Sequence, residues 1–552
     1  MQTINDAETP PVPKPPTLSS QVGRAVVWNT LFVPVRLLAD VIATLLKLTA
    51  LLPTSYGFLA VISSYNNGLG TAIDLGTGRA LPKYIPETIR AGGPRAMRRL
   101  LRTVLGAQLA FLALIGLVLF GAHQFYLGGL ARQLAQSNFQ GNTVARNALL
   151  GYVGQHGWFL IGLTIALQLI SIFYDVLMAY LSSFFKQRAW NSIDITAQLL
   201  PKLLTIGVIA LLHDEAIQIT GLLLAMVIAP AIATGALIWQ VLRHQREIAP
   251  MPQPEAHGPL LPPGFVRYCG VSLLMNGSDF IASAGFAVFF ARNLGDAALL
   301  TAGVSIVRMV LAYLYTPMVG VQVPLFTRVR AGEGGTLHGA YQSLMRLQVL
   351  LLIPGGVGLM LLAGPIFATL LPQYTAAAPL AWVLVPCLFG ESLLTTAHNA
   401  LIVYEKLRTV VIARVLALVA APLVLLLAPQ FGVIYLALAF GLARVAAGAW
   451  VTARGSDLLG LRWPWRFTLR VLLASAAMGA VVAGLGLLLP TLPATASAFD
   501  RLLVLPLLFG IAAAGGLTLL GALRLSGGLD PADRDQLAKL KLPAKKLILR
   551  VL

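Results

Sequence analysis

Residues 347–390 read LQVLLLIPGGVGLMLLAGPIFATLLPQYTAAAPLAWVLVPCLFG and contain no Asp, Glu, Lys or Arg. A run of about 20 apolar residues matches the ~30 Å hydrocarbon core of a bilayer, and this stretch carries two such runs, 347–371 and the start of 379–402. Residues 471–499 are likewise free of charge. The rest of the chain follows suit. Of 552 residues, 57% are hydrophobic and 11% charged, with a mean hydropathy of +0.79. A soluble domain carries about 25% charged residues, so this composition cannot make a water-facing surface. The fold class is all-α: a polytopic membrane protein.

Working outward, apolar runs bounded by charges or Pro/Gly turns predict about 14 transmembrane helices. They lie near 24–50, 57–78, 102–122, 157–182, 193–212, 217–242, 264–291, 296–321, 347–371, 379–402, 409–428, 432–453, 468–489 and 501–523. Basic residues gather at every second connection. The segment after span two carries Arg79, Lys83, Arg90, Arg95, Arg98, Arg99 and Arg102 against the single acid Glu87. Others follow at Lys186/Arg188/Lys202, Arg243/Arg246/Arg267, Arg328/Arg330/Arg346, Lys406/Arg408/Arg414 and Arg444 to Arg470. Positive residues mark the cytoplasmic side, so a multi-pass protein of the cell inner membrane with both termini in the cytoplasm is expected. Among the bases, this reading leaves only Arg36 and Arg308 deep inside helices.

The formal charge of +19 belongs to those loops. It is no nucleic-acid signal, because no basic stripe alternates with exposed aromatics. Cys269 and Cys387 have no metal spacing and form no disulfide framework. The organisation expected is a flexible cytoplasmic tail (1–20), an N-terminal six-helix lobe (21–245) and a cytoplasmic linker (246–262). A C-terminal six-helix lobe (263–455), two extra helices (456–525) and a basic tail (526–552) complete it. That tail is placed against the anionic inner leaflet.

Ionisable residues inside a membrane normally face a cavity or a partner, and here they form a pattern. In span one, Asn29, Arg36, Asp40 and Lys47 are separated by 7, 4 and 7 residues. At about 100° per residue they fall within about 20° of one line. Span two repeats the stripe with Ser63, Asn67, Gly70 and Asp74, span seven with Ser272, Asn276, Asp279 and Ser283, and span eight with Thr301, Ser305, Arg308 and Tyr315. Two helix pairs six spans apart suggest an internal duplication around a shared polar cavity, a known transporter design. The blander reading stands beside it: Arg36 and Asp40 neutralise each other at i, i+4, Lys47 snorkels, and Asp74, Asp279 and Arg308 make structural pairs. Asp175, Glu391 and His398 are more isolated and read as structural.

No enzyme site emerges. The outer connection 123–156 has no Asp or Glu to act as base or metal ligand. The chain has no Gly-x-x-x-x-Gly-Lys phosphate loop, and its histidines lack metal spacing. No cofactor is implied beyond coupling to Na⁺ or H⁺.

The stretch VVWNTLFVPVRLLADVIATLLKLTALLPTSYGFLAV (26–61) resembles the opening of the polysaccharide transporters of the multidrug/oligosaccharidyl-lipid/polysaccharide (MOP) superfamily. Its mark is the turn Leu52-Pro53-Thr54-Ser55-Tyr56-Gly57, followed after a second helix by the basic ALPKYIPETIRAGGPRAMRRLLR (80–102). Residues 354–408 are similar to that family's ninth and tenth helices, including a Y-x-x-A-A turn at Tyr374 to Ala378. The resemblance implies two six-helix lobes flanking a central cavity lined by helices 1, 2, 7 and 8. Members with 14 helices, such as Wzx-type flippases, move polyprenyl-linked sugars, whereas the drug-exporting MATE branch usually has 12. The expected function is therefore flipping of a polyprenyl-pyrophosphate oligosaccharide for polysaccharide biosynthesis. Arg36 and Arg308 would take the pyrophosphate, Asn29, Asn67, Asn276 and Tyr315 the sugar hydroxyls. Asp40, Asp74 and Asp279 would bind the coupling ion or hold the arginines. Expected partners are membrane lipid, the lipid-linked oligosaccharide, and a polysaccharide polymerase or glycosyltransferase. The alternative is a cation-coupled exporter of drugs or small amphiphiles of the MATE type, which would need an anionic cavity.

Overall fold

The computed structural model describes residues 35, 36, 38–135, 143–184, 187–248, 261–330, 332, 335–490 and 504–527. Among these residues there is no strand. Lipid offers no partner for N–H or C=O groups, so every apolar run closes its hydrogen bonds within itself. The helices are α1 (described over 35–36 and 38–50), α2 (Pro53–Ile73), α3 (Thr77–Gly121), α4 (His123–Ala135), α5 (Thr143–Ser183), α6 (Gln187–Leu211) and α7 (Glu215–Ile248). There follow α8 (Phe265–Ile281), α9 (Ala284–Val288), α10 (Leu294–Arg330), α11 (Leu337–Leu370), α12 (Ala378–Val403) and α13 (Leu407–Leu425). The series ends with α14 (Ala428–Phe431), α15 (Val433–Leu459), α16 (Trp465–Gly486) and α17 (Leu505–Leu525). Eleven stretches of the described residues are long and apolar enough to cross a bilayer, and one of them, Pro53–Gly121, combines two predicted spans.

Two regions read as loops are helical. The basic segment after span two is the first limb of α3, which kinks at Gly93 (φ 69°). There Pro94 disfavours helical geometry in the residue before it. The predicted outer connection 123–156 is largely α4 and the start of α5, with 136–142 outside the described residues. Span two also ends earlier than expected, at Ile73, because Leu75 (φ 52°) and Gly76 (φ 75°) turn the chain.

The helix neighbours repeat. In the first half α3 packs on α5, α2 on α5, α5 on α7 and α6 on α7; in the second, α11 packs on α12, α10 on α12, α12 on α15 and α13 on α15. The same scheme of contacts thus occurs twice, with α2, α3, α5, α6 and α7 matched by α10, α11, α12, α13 and α15. The last two helices lie outside it: α16 packs on α11, and α17 on α16 and α11.

The two halves meet along α2, which packs on α10, α9 and α8, and along α3 against α8. Glycines set the approach. A Cβ on Gly57 would lie 2.1 Å from the carbonyl oxygen of Leu294, and one on Gly76 2.1 Å from that of Cys269. At one end of the interface Tyr84 packs edge-on against Phe265 and Tyr268, with the Lys83 ammonium over the Tyr84 and Tyr268 rings.

Candidate functional site

α8, α10, α12, α13 and α15 enclose a cavity of about 390 Å³ whose lining includes Asp279, Arg308, Glu391, His398, Arg414 and Arg444. Glu391 stands 13 residues into α12, about 20 Å along its axis at 1.5 Å per residue. Arg444 grips it with two hydrogen bonds, Nε to Oε2 at 2.5 Å and Nη2 to Oε1 at 2.6 Å. The third arm, Nη1, donates to the carbonyl of Ala282, where α8 stops. One guanidinium therefore neutralises a carboxylate and satisfies an orphan helix-end carbonyl, the planar fork for which arginine is suited.

Asp279 on α8 pairs with Arg414 of α13 and with Arg79 of α3, the latter at 3.2 Å. The second contact crosses from one half of the molecule to the other. One turn earlier on α8, the Asn276 amide donates to Asp74 Oδ2 at 2.9 Å, a second crossing. Asp74 also accepts from the Gly78 N–H at 2.9 Å and the Thr77 hydroxyl at 3.2 Å. Its backbone carbonyl takes Gln108 Nε2 at 3.1 Å. Arg308 differs from the other cavity arginines. It is exposed to the cavity and makes no hydrogen bond or ion pair with the described residues.

The stripe of α1 faces a different neighbour. Arg36 Nη1 donates to Gln198 Oε1 at 2.7 Å, and Gln198 in turn donates to Asp194 at 2.8 Å. Asp40 pairs with Lys202 at 2.8 Å. Both arms reach α6, so the polar line read from the spacing is a seam between α1 and α6. Tyr315 accepts from Gln322 at 3.4 Å, and Gln322 accepts from Asn399 at 2.6 Å, a chain linking α10 to α12. Asn67 is exposed on α2, and Asn29 lies outside the described residues.

Of the residues singled out from sequence, the structure thus brings Asp279 and Arg308 to one cavity and Asp74 and Asn276 to each other. Arg36 and Asp40 go elsewhere. Sequence reasoning missed Arg79, Arg414 and Arg444. Arg414 and Arg444 were counted with basic loops, yet they sit inside VVIARVLALV (410–419) and ALAFGLARVAAGA (437–449). A charge centred in an apolar run was the signal that had identified Arg308.

A cavity lined by charged side chains lies inside one of two helix bundles with matching contacts, and comparison with solved structures identifies the fold. The chain is similar to a structure described as "Lipid II flippase MurJ, inward closed conformation", with a TM-score of 0.61 and 11% identity over 89% of this chain and 98% of that one. It is also similar to an inward-facing multidrug resistance MATE family transporter of the MOP superfamily, with a TM-score of 0.55 and 12% identity over 77% of this chain and 94% of the other. No family model matches the sequence, and no curated protein does. At these identities the likeness establishes the fold: this chain has the MOP transporter fold.

Proposed function

We propose that the protein flips a polyprenyl-diphosphate-linked oligosaccharide from the cytoplasmic to the outer leaflet by alternating access of its two halves. The observation that carries this reading is Arg308, a guanidinium presented to the cavity with no hydrogen bond or ion pair among the described residues, although Glu391 on the same wall attracts it. Guanidinium matches phosphate oxygens bidentately. Arg414 and Arg444 add to the positive lining, giving three arginines against Asp279 and Glu391. An exporter of organic cations calls for the reverse balance, which favours the flippase over the multidrug reading. The reading supposes an inner-membrane protein with cytoplasmic termini, working beside glycosyltransferases or a polymerase.

Of the three carboxylates considered for ion coupling, Asp40 and Asp279 are bound to bases, while the hydrogen bonds that Asp74 accepts from described residues come from neutral donors. Coupling to Na⁺ or H⁺ is therefore assigned to Asp74. The test is the pool of polyprenyl-linked oligosaccharide in a deletion strain, with its sidedness probed in spheroplasts. Accumulation on the cytoplasmic face, relieved by the intact gene but not by Arg308→Ala, is expected. An unchanged pool with altered drug sensitivity would sink the proposal in favour of an exporter.

A further inference from the structure

Asp279 stands where the cavity and both halves of the molecule meet. Its carboxylate holds Arg414 of its own half and Arg79 of the other. Asp279 and Arg414 line the cavity together with Arg308, which has no hydrogen bond or ion pair among the described residues. None of the three is sealed away: the Asp279 side chain is 42% exposed and that of Arg414 28%. Their partners can therefore be exchanged without leaving a bare charge in a dry core.

Taking the cargo to bear a diphosphate, as proposed above, we infer that Asp279 is a resident stand-in for the cargo's phosphate. A diphosphate entering the cavity is received by Arg308 and Arg414 and takes Arg414 from Asp279. Phosphate carries more charge than a carboxylate and offers more acceptor oxygens, so it wins the guanidinium. In the closed arrangement the Asp279 carboxylate is then left to Arg79 alone. Parting α8 from α3 would bare that carboxylate beside the bound anion, so the cargo strengthens the Arg79–Asp279 tie, which closes the halves together with the Asp74–Asn276 tie one turn away on α8. The cargo thus binds the closed state better than the parted one, which is the condition for a ligand to shift a conformational equilibrium. Arg79 acts in this scheme as a positioning residue, through Asp279.

The scheme predicts an unusual sign: removing the carboxylate should tighten binding. Full-length protein in lipid nanodiscs is titrated with geranyl diphosphate, with geraniol and inorganic pyrophosphate as companion probes. The wild type is expected to bind geranyl diphosphate, to lose it to competing pyrophosphate, and to ignore geraniol. Asp279→Asn should bind about tenfold tighter and Arg414→Gln about tenfold weaker, the scale of one charged hydrogen bond. Asp279→Glu, which keeps the charge, should stay near wild type and shows that the site tolerates substitution. Adding Arg79→Gln to Asp279→Asn should change nothing further. If the wild type binds the diphosphate while Asp279→Asn binds it equally or more weakly, Asp279 is scaffold; this inference then falls and the flippase reading stands. If the wild type binds no diphosphate, or binds geraniol as well, both fall.

Discussion

The ring of Tyr56 meets that of Tyr374 edge-on, with centroids 5.9 Å apart and planes at 84°. The Tyr374 hydroxyl reaches the carbonyl of Leu51 at 3.4 Å. Each tyrosine belongs to one of the two turns by which the sequence resembles its family, so those turns are two sides of one contact between the halves. Gly57 makes it tight, because its missing side chain lets α2 ride on the first turn of α10. The N–H of Leu52, with Pro53 next in line to open α2, is taken by Glu215 of α7 at 3.1 Å. This end is the one expected to face outward, and here it is shut.

Loosening that contact should favour the outward-open state. Gly57→Leu places a side chain where the Leu294 carbonyl now lies, and Tyr374→Ala removes the ring that Tyr56 packs against. In both, a cysteine placed at the fully buried Leu51 should react with a membrane-impermeant maleimide about tenfold faster than in the parent. That corresponds to a population shift of about 1.4 kcal/mol. Unchanged labelling in both variants would show that the seal lies elsewhere.

How much of this was legible in the sequence depends on the level asked. The spans were visible because lipid enforces length and apolarity, and every predicted span with described residues has a helix over it. The angular stripe of Arg36 and Asp40 was correctly one line, but a stripe says that a face is polar and not which helix it meets. Lys202 became the partner of Asp40 through tertiary packing alone. Arg414 and Arg444 were obscured by the rule that gathers bases into loops, which has no term for a base neutralised by an acid on another helix. The internal repeat left only a faint echo in Trp28-Asn29 and Met275-Asn276. In three dimensions an acid on the first helix of each half pairs with a base on the fifth: Asp40 with Lys202, and Asp279 with Arg414.

The Arg444–Glu391 pair is a stability element as well as part of the wall. Arg444→Met strands the Glu391 carboxylate and the Ala282 carbonyl in a half-dry site, and should destabilise by about 3 kcal/mol. The double variant Arg444→Met/Glu391→Gln should recover most of that loss. Thermal unfolding in detergent reads both, and equal melting temperatures for the two variants would contradict the account.

Truncation before α16 tests whether the added helices are part of the core. α16 buries Val471, Ala474, Ser475 and Met478 on a face that packs against α11, outside the repeated scheme. Losing it exposes α11 to lipid, a solvent as apolar as the helix it replaces. A chain ending after Leu459 should therefore still run as a single, monodisperse species in detergent. Aggregation would mean that α11 needs α16 for more than apolar cover.

Asp40 and Asp74 separate the structural from the coupling role of an acid in the N-terminal half. Asp40 is already neutralised by Lys202 across a partly exposed seam, so Asp40→Asn should cost at most about 1 kcal/mol of stability. Its transport should keep whatever dependence on a Na⁺ or pH gradient the wild type has. Asp74 differs because the donors converging on it from the described residues, a backbone N–H, a hydroxyl and an amide, are all neutral. Asp74→Asn keeps one acceptor oxygen but turns an N–H₂ group towards existing donors, so the crossing to Asn276 weakens while the charge disappears. In proteoliposomes under an imposed gradient, Asp74→Asn should transport at a rate that no longer responds to that gradient. Retained gradient dependence in Asp74→Asn would move the coupling role away from Asp74 and leave it a helix-end acceptor between the two halves.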